Sequence, residues 1–185
     1  MEISELYRIF EQHPVVTTDS RDCPKDSIFF ALKGASFNGN AFAQKAIDEG
    51  CAFAVVDEKE FAKEDDKRFI LVDNCLKALQ QLANYHRRKL GTKIIGITGT
   101  NGKTTTKELV ATVLQKKYNV LYTQGNFNND IGTPLTLLGL GPEHQAAVIE
   151  TGMNHFGEIR YLGEMVRPDI RVQIVFNLHH IAHII

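Results

Sequence analysis

The chain is predicted to be an α/β protein with mostly parallel sheets, on three observations. Short apolar runs of strand length alternate with amphipathic stretches of helix length along its 185 residues. A glycine-containing turn, Gly99-Thr100-Asn101-Gly102-Lys103-Thr104-Thr105, joins one apolar run to a helical stretch. The alternation restarts after Gly91-Thr92, which divides the chain into two α/β stretches, 1–91 and 92–185.

The first stretch opens with a helix over Ile3 to Gln12, whose apolar positions Ile3, Leu6, Ile9 and Phe10 share one face. Ser27 to Leu32 (SIFFAL) reads as a buried strand and Gly34 to Asn40 as a loop. A helix over Ala41 to Glu49 precedes strands at Phe53 to Val56 and Phe69 to Val72. Cys75 to Leu90 is amphipathic, with Leu76, Leu79, Leu82, Ala83 and Leu90 on one side. Its basic end, Arg87-Arg88-Lys89, is expected to be solvated. In the second stretch, strand Lys93 to Thr98 leads through the turn into a helix over Lys103 to Lys117. Strands follow at Val120 to Thr123 and Ala146 to Ile149, the second ending at Glu150. Pro134 opens a short helix through Leu138, as proline suits a first turn. A helix over Gly157 to Val166 stops at Pro168, and Arg171 to Phe176 has strand character.

Composition narrows the function. With 43% hydrophobic and 23% charged residues the chain reads as globular. A net charge of −1 makes no global case for nucleic acid or a membrane surface. No apolar run approaches the ~20 residues of a spanning helix, and the N-terminus lacks the pattern of a signal peptide. Three dispersed cysteines, Cys23, Cys51 and Cys75, suit a reducing cytoplasm, with Cys51 and Cys75 acting as small packed hydrophobes.

The turn carries the chemistry. Its glycines let backbone N–H groups approach phosphate oxygens, and the helix start adds orphan donors and a positive dipole end. Lys103 supplies a point charge for the phosphates, and the Thr104 hydroxyl is placed to ligate Mg²⁺. The strict GxxxxGK[ST] pattern would put its first glycine at 97, where Ile97 stands, with Gly96 one residue earlier; the loop is a variant. It is expected to bind a nucleotide, ATP.

GTNGKTTT resembles the loop of the Mur ligases of peptidoglycan synthesis and their folylpolyglutamate synthetase relatives. Thr123–Leu138 (TQGNFNNDIGTPLTLL) and Ala147–Leu162 (AVIETGMNHFGEIRYL) look like the following blocks of the family's MurF branch, and Thr17–Phe42 resembles its N-terminal UDP-substrate domain. The resemblance implies an ATP-dependent ligase that joins D-alanyl-D-alanine to UDP-N-acetylmuramoyl-tripeptide through an acyl phosphate. It implies a UDP-substrate domain over 1–91 and part of a P-loop-type central ATPase domain over 92–185. Lys103 and the backbone of Gly99 to Thr105 would hold ATP phosphates, with Thr104 and Glu150 as Mg²⁺ ligands. Glu150 alone would also read as a surface carboxylate capping the next element. Thr123, Asn128 and Asn129 match a block lining the substrate cleft, although an asparagine-rich turn also accounts for them. His155 faces the cleft or caps the helix that follows. Asp19-Ser20-Arg21 matches a block that contacts the UDP-sugar, with Asn38 and Gly39 in the same pocket; a solvated turn is the other reading.

Two departures stand out. Family members are more than twice as long and end in a third, Rossmann-like domain that receives the amino substrate. After Asp169 the family continues with a motif around AHLEGFG, whereas this chain has Ile170 to Ile185 with His179, His180 and His183. Such a chain is expected to lack turnover and to expose a sheet edge open to self-association. MurE-type and folylpolyglutamate-synthetase-type ligases, or a binding-only fragment, are the alternatives.

Overall fold

The computed structural model describes residues 1–63, 65–153 and 157–175. It divides into two compact units, Met1–Leu82 and Ala83–Ile185. In the first, helix α1 (Ile3–Gln12) starts at a capping box, in which Glu5 reaches back to the Glu2 N–H, and buries Leu6, Tyr7 and Phe10. Strands β1 (Val16–Thr17), β2 (Ile28–Phe30), β5 (Phe53–Val56) and β6 (Phe69–Leu71) form a parallel sheet in the order β1-β2-β5-β6. Ile28, Phe29 and Phe30 are all buried, which explains why this strand reads as an unbroken apolar run. Helix α2 (Ala43–Asp48) packs against β5.

Two features of this unit differ from expectation. Gly34 to Asn40 is not a plain loop: β3 (Lys33–Gly34) and β4 (Phe37–Asn38) pair as a short antiparallel hairpin, followed by a 3-10 turn over Gly39–Phe42. β1 is not among the expected strands; it lies in the β-branched run Val15-Val16-Thr17-Thr18, and its two residues pair with β2. Pairs this short carry no periodicity for a sequence to display. Cys51 and Cys75 are free and buried, as expected of packed small residues.

Helix α3 (Cys75–Leu90) carries the chain from the first unit into the second. There, β7 (Lys93–Gly99), β8 (Val120–Tyr122), β9 (Ala146–Glu150) and β10 (Ile170–Ile174) form a parallel sheet in the order β10-β7-β9-β8. Helix α4 (Lys103–Leu114) covers one face, where Ile97, Ala111, Val120 and Val148 form a core joined by Ile95, Val110 and Val172. Alternate residues Ile94, Ala147 and Ile149 are buried on the other face. On that side α6 (Glu158–Val166) packs on β7, and α5 (Gly132–Leu138) on β9. Helix α4 stops short of Lys117, because Lys116 and Lys117 N–H groups bond three residues back and tighten the last turn.

Arg87 corrects the expectation of a solvated basic end. Its guanidinium is largely buried and donates to the carbonyls of Val166 (2.7 Å) and Arg167 (2.6 Å), where α6 ends. It satisfies carbonyls that a helix terminus otherwise leaves without partners. Burial pushes its pKa down, against the pull of Asp169. No helix among the described residues is long and apolar enough to cross a membrane.

Candidate functional site

The candidate site lies at the C-terminal ends of β7 and β9, in the second unit. β7 runs into the loop at Gly99, whose φ of +149° suits glycine. A Cβ there would lie 2.2 Å from the Ile174 carbonyl oxygen on the neighbouring strand. Gly102, at φ +75°, turns the chain into α4. Thr100, Asn101 and Gly102 are exposed, and the Thr100 N–H is anchored to the Ile174 carbonyl (3.2 Å). A solvent-facing loop that ends at a helix N-terminus favours an anion, because N–H donors and the helix dipole point the same way. The Lys103 ammonium folds over this loop and donates to the carbonyls of Gly99 (2.9 Å) and Thr100 (3.4 Å).

Glu150 faces the loop from the end of β9. The register places it opposite Ile97, on the sheet face that α4 covers. It is 1% exposed, which rules out the surface-carboxylate reading. Its Oε1 accepts from the Thr104 hydroxyl (3.3 Å) and from Asn128 Nδ2 (2.9 Å). Its backbone N–H donates to the Thr123 hydroxyl (3.0 Å), a side chain with no solvent exposure. Oε2 is buried with no hydrogen-bond partner. Native interiors seldom leave a carboxylate oxygen so, and such an atom invites an explanation such as an ion.

Lys103, Thr104, Thr123, Asn128 and Glu150 therefore gather in one place, although 47 positions separate Lys103 from Glu150 in sequence. Asn129 follows Asn128 directly and also bonds the backbone. Its Oδ1 accepts from the N–H groups of Ile131 (3.2 Å) and Gly132 (2.7 Å), so its side chain holds the start of α5. His155 lies outside the described residues, as do His179, His180 and His183.

The remaining candidates sit in the first unit. Ser20 is buried. Arg21 is exposed and forms a two-pronged pair with Asp19 (2.9 and 2.7 Å), and this guanidinium holds the Asp19 carboxyl down at about 2. Asn38 accepts from the Asn40 N–H (3.0 Å) and donates to Glu58 (2.9 Å). Asn40, fully buried, continues the network to Asp57, which also accepts from the Cys75 N–H at the start of α3. Burial pushes the Asp57 carboxyl up, but hydrogen bonds from Asn40, Cys75 and Lys33 outweigh it and the net shift is downward.

Thr104 and Glu150 fit a hard divalent cation. Both offer oxygen, and their side chains lie side by side. No cluster of three or more His, Cys, Asp or Glu side chains gathers among the described residues. Oxygen donors of this kind suit Mg²⁺, which commonly keeps waters and takes substrate phosphate as ligand. One residue escaped the sequence reading. Lys107, one helical turn beyond Lys103, is 1% exposed and lies 4.0 Å from Glu150 Oε2. Its i+4 spacing from Lys103 was the available signal, but a helix lysine ordinarily faces water.

The Mur ligase middle domain model matches residues 97–184, and the model of the Mur ligase family, catalytic domain, matches residues 14–87. The UDP-N-acetylmuramoyl-tripeptide–D-alanyl-D-alanine ligase of Bacillus subtilis is 43% identical over 157 residues, 85% of this chain and 34% of that protein. Its Escherichia coli counterpart is 40% identical, over 83% of this chain and 33% of that protein. The chain thus spans about a third of the length of the curated relatives it matches. A crystal structure of MurF from Acinetobacter baumannii superposes with a TM-score of 0.80 at 37% identity, covering 91% of this chain and 37% of that one. MurF from Thermotoga maritima in complex with ADP gives 0.80 at 28% identity, covering 91% and 39%. A diaminopimelate ligase structure at 18% identity and TM-score 0.51 shares the fold alone. The two parallel sheets agree with these likenesses: the chain belongs to the Mur ligase family and corresponds to the N-terminal portion of its MurF members.

Proposed function

We propose that the chain is the nucleotide-gripping part of a cytoplasmic, ATP-dependent ligase that joins D-alanyl-D-alanine to UDP-N-acetylmuramoyl-tripeptide. Residues 1–91 form the UDP-substrate domain, with Ser20, Arg21 and Asn38 at its pocket, and residues 92–185 belong to the ATP domain. The observation that carries this reading is the convergence of Thr104, Asn128 and Glu150 beside the Gly99–Thr105 loop. The loop N–H groups and Lys103 bind the ATP phosphates, the ammonium exchanging its two carbonyl partners for phosphate oxygens. Thr104 and Glu150 hold Mg²⁺, which supplies positive charge to the phosphate oxygens. Asn128 holds the Glu150 carboxylate, and Thr123 holds the Glu150 backbone N–H. In the reaction, the tripeptide carboxylate attacks the γ-phosphorus and expels ADP, giving an acyl phosphate, and the amine of D-alanyl-D-alanine then displaces inorganic phosphate from the acyl carbon and releases a proton.

The chain spans about a third of the length of its relatives, and nucleotide binding is the part of the reaction that its own residues serve. Calorimetric titration of Mg·ATP into the parent and into Lys103→Ala tests the loop. A charge-assisted hydrogen bond contributes ~1.5–3 kcal/mol, so the variant binds roughly 10- to 100-fold more weakly. Equal affinities, or a parent that binds no nucleotide, refute the assignment.

A further inference from the structure

Among the described residues, Lys107 and Glu150 are the two charged residues that are buried as whole residues, each 1% exposed. They carry opposite charge and face each other, with Lys107 Nζ 4.0 Å from Glu150 Oε2. That oxygen is the one without a hydrogen-bond partner. Burying a single charge is strongly unfavourable, and burying two of opposite sign is tolerated when they meet. The remaining surroundings of Lys107 are few. Its ammonium pairs with Glu108 (3.0 Å), whose side chain is half-exposed, and stands over the Tyr122 ring at 5.8 Å. The ammonium is therefore tethered on the β8 side and directed at β9.

The two carboxylate oxygens of Glu150 have separate tasks. Oε1 is held by Thr104 and Asn128 on the loop side, while Oε2 looks toward Lys107 on the inner side. A carboxylate with one free edge can rotate about its last torsion, which is broad and soft. A fixed cation behind Oε2 removes that freedom. We propose that Lys107 is a positioning residue for Glu150: an internal cation that keeps the carboxylate turned toward Thr104 and the phosphate loop, and so couples metal to nucleotide. This rests on the reading of Glu150 as a metal-side carboxylate. It places the work of binding in Lys103 and the loop, and the work of orientation in Lys107, one turn further along the same helix.

The experiment measures ATP affinity with Mg²⁺ and with EDTA, on the 185-residue chain and on Lys107→Met, Glu150→Gln and the double variant. The ratio of the two affinities is the metal coupling. Lys107→Met is expected to lower the coupling at least 10-fold while leaving the metal-free affinity within twofold. A residue needed only for folding would weaken both arms together, and that result, or an unchanged coupling, overturns the proposal. Glu150→Gln tests the underlying reading separately: if it leaves the coupling intact, the metal assignment fails whatever Lys107→Met does. Should Lys107→Met not fold alone, thermal unfolding of the double variant decides. Recovery of folding when Glu150 is neutralised too supports the pair, and failure of the double variant refutes it.

Discussion

Replacing Gly99 with alanine should damage the second unit more than its small size suggests. Two costs add at this position. The φ of +149° is one that L side chains rarely adopt, which costs ~1–3 kcal/mol. The new Cβ would also stand 2.2 Å from the Ile174 carbonyl oxygen and 2.9 Å from the Ile174 Cβ, separations that real atoms do not keep. Relief requires β10 to move away from β7 where Gly99 pairs with Ile174, and forced packing of this kind costs ~1–3 kcal/mol. The sum is about 2–6 kcal/mol, concentrated where the loop leaves the sheet. Gly91→Ala is the control, since Gly91 has φ +67° and nothing within 4 Å of an added Cβ. It bears the conformational cost without the clash. Urea unfolding of the two variants should separate them by at least ~1 kcal/mol, and Gly99→Ala should also weaken ATP binding, because the Thr100 N–H is anchored to the same carbonyl. Equal stabilities would mean that β10 yields freely and that the close approach has no energetic weight.

Two further predictions concern stability. Arg87→Ala removes two charged hydrogen bonds to the end of α6 and should cost ~2–4 kcal/mol in urea unfolding, whereas replacement of neighbouring exposed Arg88 should cost under ~0.5 kcal/mol. The Asp57 carboxyl has a folded pKa below its unfolded one, so its contribution is complete above the ordinary carboxylate range and is lost as pH falls through the folded value. Asp57→Asn should therefore flatten the acid limb of the stability-against-pH curve; a limb of unchanged slope would show that the Asn40–Lys33 network does not depend on that charge.

Much of the fold was legible because its signals are local. β2, β5, β7 and β9 are apolar runs buried on both faces, and the turn before α4 combines glycines with a lysine at the start of a helix. Lys103 and Thr104 could be picked out for the same reason. Glu150 could be singled out only through its resemblance to a family block, since nothing in its neighbours says that β9 lies beside β7. Asn129, read from the same block, also has a structural part: its Oδ1 accepts from the Ile131 and Gly132 N–H groups where α5 begins.

The amino-acid order by itself determined the alternation of elements, the phosphate loop and the family, because periodicity, turn chemistry and motif spacing act over a few residues. Only the tertiary structure decided which charges are buried. Lys107 and Glu150 are separated by 43 positions, and Arg87 and Val166 by 79. A lysine or arginine on a helix reads as solvated until the parallel order β10-β7-β9-β8 brings a carboxylate or a helix end against it. The low dielectric of that interior then makes the pairing, and not the residue type, decide what the side chain does.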